Sequence, residues 1–428
     1  MAVVTLPIEL PTEPTWEELL GSKKWKGLLD PLDLKLRKHI IRCGEFCQVT
    51  GDGFNTDTES KNCGKCYFSK ESLLEKVYLP FASDYEVVAY LYTTVTSDSC
   101  MRDIGLITDL MFRDNKETNW MGYIAVTKDQ VCKANGRREI YVAWRGTMRP
   151  AEWNIDLDIK LVPATPLLES GSGDDDDDLV VNARSIWDNL SPTPKVSEGW
   201  LKIYTTDNPD SEIAKTSARS QLQKKIRELV KRYKEDDDAG ISLSLTFTGH
   251  SLGGALAALS AFDVAKNVCP SNIPVAAFVF GMPMLGNWAF CNKIKALKNL
   301  RILHVKNSYD IVPKLPSWLM GYASSVGTEL VVDITKSPYL KYPQDKLEQI
   351  AFCHNLEILL HLVAGWNGDD EKFELIKVKR ALALINKGGD FLKQINKDVP
   401  ASWWVVENKG MLVDHENGDH WSLAVPET

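Results

Sequence analysis

The chain has no surplus of basic charge. Its 50 lysines and arginines are outnumbered by 58 aspartates and glutamates, giving a formal net charge of −8, which argues against a general nucleic-acid binder. Cysteine is sparse: nine in 428 residues, an odd count without a dense framework, so a reducing setting is expected. Cys43, Cys47, Cys63 and Cys66 form C-x3-C and C-x2-C pairs, a spacing loosely like a zinc site. Cys43 and Cys47 fall one helical turn apart beside Phe46, however, so buried or loosely paired thiols are the better reading and no metal is expected. The opening stretch MAVVTLPIELPTEPTWEELL lacks a basic region and a long apolar core. Neither a secretory signal nor a transit peptide is expected, and a cytoplasmic location is. With 44% hydrophobic and 25% charged residues, the rest is ordinary globular composition.

One stretch lacks charge altogether. Residues 239–262 contain no aspartate, glutamate, lysine or arginine, which raises the question of a membrane span. Glycines in mid-segment, four serines and a histidine make a poor spanning helix, and the apolar pattern changes from strand-like to helix-like part-way along. Residues 243–263, LSLTFTGHSLGGALAALSAFD, read instead as a strand, a tight turn and a small-residue helix. That is the G-x-S-x-G nucleophile elbow, in which Gly249 and Gly253 let strand and helix approach and Ser251 sits exposed at the helix start. His250 lies inside the same turn. A serine hydroxyl needs a base to accept its proton and an acid to orient that base.

The remaining chain supplies candidates. Helices are expected over 16–20, 31–44 and 217–238, and strands over 87–96, 120–127, 138–144, 275–280 and 300–305. The third strand ends at Arg145, Gly146 and Thr147, a place from which α/β hydrolases take an oxyanion donor. Residues 148–157, with Trp153 beside Pro150, suit a short flap over an apolar substrate or plain surface cover. Residues 165–195, with five consecutive aspartates at 174–178, are expected to form an exposed mobile acidic loop. Asp310, just beyond the strand over 300–305, suits an orienting acid or a turn residue. In chain order Ser, acid, His, the eligible histidines are His354, His361, His415 and His420. His354 opens a helix-like segment and His361 lies seven residues on, near the same face, so spacing alone does not separate them.

Several motifs together resemble the class 3 lipase family: RGT at 145–147, GHSLGGALA at 249–257, NSYDIVP at 307–313 and CHNLEILLHLVAGW at 353–366. Residues 16–46 and 398–411 look like the plant phospholipase A1 branch without a plastid transit peptide. The resemblance implies one α/β-hydrolase domain over 1–428, with a mostly parallel central sheet flanked by helices, an N-terminal helical cover over 1–80, an acidic insertion over 165–195 and a short lid. It implies hydrolysis of acyl esters, typically at the sn-1 position of a glycerolipid. Position by position, Ser251 matches the nucleophile, Asp310 the acid, His354 the base, and Thr147 and Leu252 the oxyanion hole; His361 would be structural. Met148, Arg149, Pro150 and Trp153 fall where the family carries its lid. No metal or organic cofactor is implied. The expected partners are a glycerolipid or other ester and, transiently, a lipid surface, with neither nucleic acid nor a transmembrane segment.

The chain departs from the family pattern at Val196-Ser197-Glu198-Gly199, where VHEG is usual, and at Met284, where a polar residue is usual. Trp144 replaces a phenylalanine, and Ile358 stands where an aromatic is common. These positions bear on substrate choice. The same serine chemistry also serves an acyltransferase or a specialised-metabolite esterase, and a non-catalytic lipid-binding paralogue is the remaining alternative.

Overall fold

The computed structural model describes residues 13–57, 59–96, 116–146, 160–168, 192–233, 240–393, 399–403, 411–414 and 420–423. The strands are β1 Tyr85–Thr96, β2 Lys116–Thr127, β3 Arg137–Trp144, β4 Leu161–Pro163, β5 Lys195–Ser197, β6 Ser242–His250, β7 Val275–Phe280, β8 Leu300–Asn307, β9 Thr328–Val332, β10 Met411–Asp414 and β11 His420–Leu423. A seven-stranded sheet runs in the order β1-β2-β3-β6-β7-β8-β9. β1, β2 and β3 pair antiparallel, and every later pair is parallel. β4 with β5 and β10 with β11 form two small antiparallel pairs.

Helices cover both faces of the sheet, so β7 (VAAFVF) reads as an unbroken apolar run, whereas β6 (SLSLTFTGH) alternates apolar residues with buried Ser244, Thr246 and Thr248. On one face lie α3 (Glu198–Thr205), α4 (Ala218–Arg232), α5 (Leu252–Asn267) and α6 (Trp288–Ala296), packing Leu222, Leu256, Phe262 and Phe290 onto Val142 and Phe247. On the other lie α2 (Leu34–Asp52), α7 (Lys346–Cys353) and α8 (Leu356–Gly365), packing Phe46, Phe352 and Leu360 onto Tyr141, Phe278 and Leu303. Phe46 and Tyr141 stack at 4.0 Å between ring centroids. The short α1 (Trp16–Leu19) is closed by a capping box between Thr15 and Glu18. No helix among the described residues is long and apolar enough to cross a membrane.

Several boundaries differ from the sequence reading. α2 starts at residue 34, not 31, because Asp33 caps it, its Oδ1 accepting from Lys35 N at 2.8 Å and Leu36 N at 3.0 Å. It also runs past Gly44 to Asp52. Gly44 is not a stop signal: a Cβ there would lie 2.2 Å from Leu360 Cδ2, so it marks the close crossing of α2 and α8. α4 ends at Arg232; residues 234–239 lie outside the described residues. β9 went unread because a half-exposed five-residue edge strand carries little alternation. Within 165–195, residues 165–168 are helical and Lys195 opens β5, while the five aspartates lie outside the described residues.

α2, α8 and the segment after them are joined by a buried ionic cluster. Arg380 pairs with Glu357 and, at 3.0 Å, with Glu45; Lys387 pairs with Asp52 at 2.6 Å and with Glu357 at 3.3 Å. Burial pushes the Glu357 carboxyl up, but Arg380 and Lys387 outweigh it and hold the group below its ordinary range. Replacing Glu357 by alanine leaves two buried cations short of a partner. It should cost about 3–5 kcal/mol, read from guanidinium unfolding curves.

Candidate active site

The carboxyl ends of β6, β7 and β8 meet at one edge of the sheet, where open α/β sheets place ligands. β6 ends in His250, and Ser251 follows at the start of α5 with φ 57° and ψ −127°. Positive φ on a residue with a Cβ is strained, and here it sits at the turn that directs a side chain off the sheet. The glycines make that turn possible. A Cβ on Gly249 would lie 2.1 Å from Gly253 O, and one on Gly253 would lie 2.4 Å from Trp144 O. Ser251 N–H continues the parallel ladder by donating to Phe280 O at 2.9 Å.

Ser251 is buried, 4% exposed, whereas the sequence reading placed it at the surface. Beside it, the ring of His250 lies 4.4 Å, centroid to centroid, from that of His354, a residue remote in sequence.

Asp310 follows β8, and its Oδ2 lies 2.6 Å from His354 Nδ1. Both residues are buried. Asp310 Oδ1 accepts from Val312 N at 2.9 Å, which fixes the rotation of the carboxylate. His354 does not open a helix. It caps α7, with its N–H donating to Ile350 O at 3.0 Å, and Asn355 then caps α8 by accepting from Ile358 N at 3.1 Å. His361, which spacing could not separate from His354, lies elsewhere: its Nε2 is 2.7 Å from Ser337 Oγ. Burial pushes it down to about 3, so it is a neutral packed histidine. His304 is similar, pushed down to about 3 mainly by burial and accepting from Met282 N at 3.0 Å. His415 lies outside the described residues, and His420 is in the β10–β11 hairpin.

Leu252 is the first residue of α5. An N–H at that position has no acceptor within the helix, and the helix dipole concentrates positive potential there. Thr147 and the lid candidates Met148, Arg149, Pro150 and Trp153 lie outside the described residues. Arg145, just before them, is fully buried, its guanidinium 3.6 Å over the Phe54 ring and donating to Trp120 O and Gly146 O at 3.2 Å. Burial pushes it down to about 9.

Four residues support the site in ways that the sequence does not report, two of them, His250 and Arg145, already named there for their place in a motif. His250 stacks on His354, and burial, then the charge of that neighbour, hold it well below the ordinary histidine range. Asn307 donates from Nδ2 to Cys353 O at 3.1 Å and accepts on Oδ1 from Ile334 N at 3.3 Å, tying the acid loop to the histidine junction. Gly281 leaves room for the pair: a Cβ there would lie 2.9 Å from His354 Cε1 and 3.1 Å from Asp310 Oδ2. Arg145 anchors the third strand's exit. All four sit within strand-end motifs, which was the available signal, while the contacts each makes depend on packing.

The divergent positions are buried structural residues. Trp144 is in the core beneath α5, its indole N–H donating to Ser260 Oγ at 2.9 Å. Ser197, Met284 and Ile358 are buried as well.

An imidazole with one nitrogen on a carboxylate and a serine at a strained helix start nearby can perform acyl transfer. A family model described as Lipase (class 3) matches residues 141–320. The chain is 45% identical to phospholipase A1-IIdelta of Arabidopsis thaliana over 416 residues, covering 96% of this chain and 97% of that one. It is 45% identical to phospholipase A1-II 5 of Oryza sativa subsp. japonica, covering 96% and 83%, and 39% identical to phospholipase A1-II 1 of Oryza sativa subsp. indica, covering 94% and 97%. With relatives this similar matching over almost its whole length, the chain belongs to the class 3 lipase family, among its phospholipases A1 of type II.

Proposed function

We propose that this chain is a serine acylhydrolase that removes the sn-1 acyl chain of a glycerophospholipid. The observation that carries the reading is the buried Asp310–His354 pair at 2.6 Å beside the strained Ser251 turn. Ser251 Oγ attacks the ester carbonyl carbon as His354 accepts the hydroxyl proton. Asp310 holds the imidazole in the tautomer that can accept it and stabilises the imidazolium. The tetrahedral oxyanion is received by the Leu252 N–H and, following the family match, by Thr147. Collapse expels the lysophospholipid alkoxide, which takes the proton back from His354. Water then enters, loses a proton to the same histidine and releases the fatty acid.

The names of the relatives favour phospholipid over other esters. A phosphatidylcholine carrying different acyl chains at its two positions separates the outcomes. Release of the sn-1 fatty acid with the complementary 2-acyl lysolipid, resolved by mass spectrometry, is the expected result. Release of the sn-2 chain, or cleavage of small esters only, rejects the substrate assignment. The cytosolic setting and the brief contact with a lipid surface belong to the same proposal.

A further inference from the structure

Large apolar side chains are exposed close to the active-site edge. Trp318–Met320 is a single 3-10 turn in which Trp318 is 68% exposed, Leu319 75% and Met320 39%. Such a turn has three residues per revolution, so three exposed neighbours mean that it projects from the surface. It is nevertheless fixed. Ser317 Oγ accepts from Leu319 N at 3.2 Å, and Gly321, in the left-handed region, closes the turn by donating to Trp318 O at 2.9 Å.

Backbone bonds connect this turn to the catalytic elements. Gly281 abuts Asp310 and His354; three residues on, Met284 N donates to Leu315 O at 2.7 Å; two residues further on, Gly286 O accepts from Ala323 N at 2.8 Å. Trp288, 55% exposed at the start of α6, follows directly. The two tryptophans, the leucine and the methionine therefore share one rim.

Lysines surround the rim. Lys314 stands four residues before Trp318. Lys160 precedes Leu161, the side chain nearest Gly321, and Lys195 O accepts from Asn287 N at 2.9 Å. Lys160 and Lys314 are exposed, Lys195 is half-buried, and none of the three has an ion pair among the described residues. Glu198, beside Lys160, is paired with Lys202 at 2.8 Å. Indole rings and an aliphatic tip ringed by lysine match the bilayer interface, where tryptophan sits at headgroup level and lysine meets lipid phosphate.

We propose that Trp318, Leu319 and Met320, with Trp288 beside them, insert into the interfacial layer of a phospholipid bilayer and hold the active-site edge against it. This docking surface rests on the reading of the chain as a phospholipid hydrolase and is separate from the segment that the family resemblance marks as the lid. A rigid projecting turn loses little conformational freedom on insertion, so its apolar burial is retained as binding.

The test is the paired change W318S/L319S. Placed on Ser251→Ala, so that lipid is not consumed, it should weaken co-sedimentation with mixed phosphatidylcholine–phosphatidylserine vesicles by at least about tenfold. With Ser251 intact, the same pair should lower hydrolysis of those vesicles similarly and leave turnover of a soluble short-chain aryl ester unchanged. Undiminished vesicle binding by the variant overturns the docking surface. So does a wild-type dimer that the change converts to monomer without loss of lipid binding, which would make the rim a contact between two copies. A wild-type chain that cleaves no ester overturns the underlying catalytic reading instead, and the two failures are thereby distinguished.

Discussion

Ser251→Ala should lower kcat for a soluble aryl ester by roughly 10⁵-fold, about 7 kcal/mol of transition-state stabilisation. The change deletes the atom that forms the acyl-enzyme and leaves the rest of the site in place. Its specificity comes from how little else the hydroxyl does: it makes no capping hydrogen bond to α5. Alanine keeps the Cβ, so the strain at φ 57° is the same in both proteins. Thermal unfolding should therefore be nearly unchanged. Residual turnover above background is expected, because the oxyanion donors still favour attack by water. A variant retaining more than about a tenth of wild-type kcat would remove Ser251 from the chemistry.

Asp310→Asn should cost about 10⁴-fold in kcat, with a smaller effect on KM. Asp310 Oδ1 accepts from Val312 N at 2.9 Å while Oδ2 faces His354 Nδ1 at 2.6 Å. In asparagine, the amide oxygen keeps the bond from Val312 and the NH₂ group is left facing the imidazole. That NH₂ donates to Nδ1, which forces the proton onto Nε2. An imidazole protonated there cannot take the serine proton, although nothing has moved. Steady-state kinetics against the soluble ester, with circular dichroism to confirm the fold, checks this. A loss below about tenfold would mean that the carboxylate orients no catalytic base.

How much of this was legible depended on whether the signal was local. The elbow was readable because Gly249 and Gly253 answer to a close backbone contact within a few residues, β7 because burial on both faces leaves an unbroken apolar run, and β6 because its apolar residues alternate with serine and threonine. Asp310 was readable as a residue just past a strand end. Spacing alone did not choose His354 over His361, since both fall on apolar helical sequence; the family motif chose His354, and the pairing of one with Asp310 and the other with Ser337 separates them physically. The burial of Ser251 was equally invisible, because nothing within the elbow's own sequence reports what packs around it. Asn307 shows the same limit from the other side. Its bonds to Cys353 and Ile334 join three segments, and no periodicity within any one of them reports that junction. α2 was misjudged for a physical reason too: Gly44 reads as a terminator in isolation but serves the crossing with α8.

The polar cluster of Glu45, Asp52, Glu357, Arg380 and Lys387 ties α2 and α8 on the face of the sheet opposite α5. α7 and α8 flank His354, so this cluster braces the histidine junction from below, while Asn307 braces it from the side. The site therefore depends on long-range contacts for its geometry and on the short elbow for its nucleophile.

The central claim is that Ser251 is an activated nucleophile, and covalent capture tests it most directly. The purified protein is treated with a fluorophosphonate, digested and mapped by mass spectrometry. A stoichiometric phosphonyl adduct on the peptide containing Ser251, absent from Ser251→Ala and strongly slowed in Asp310→Asn, is the predicted result. An unlabelled Ser251 in folded wild-type protein, or an adduct on a different serine, would contradict the account.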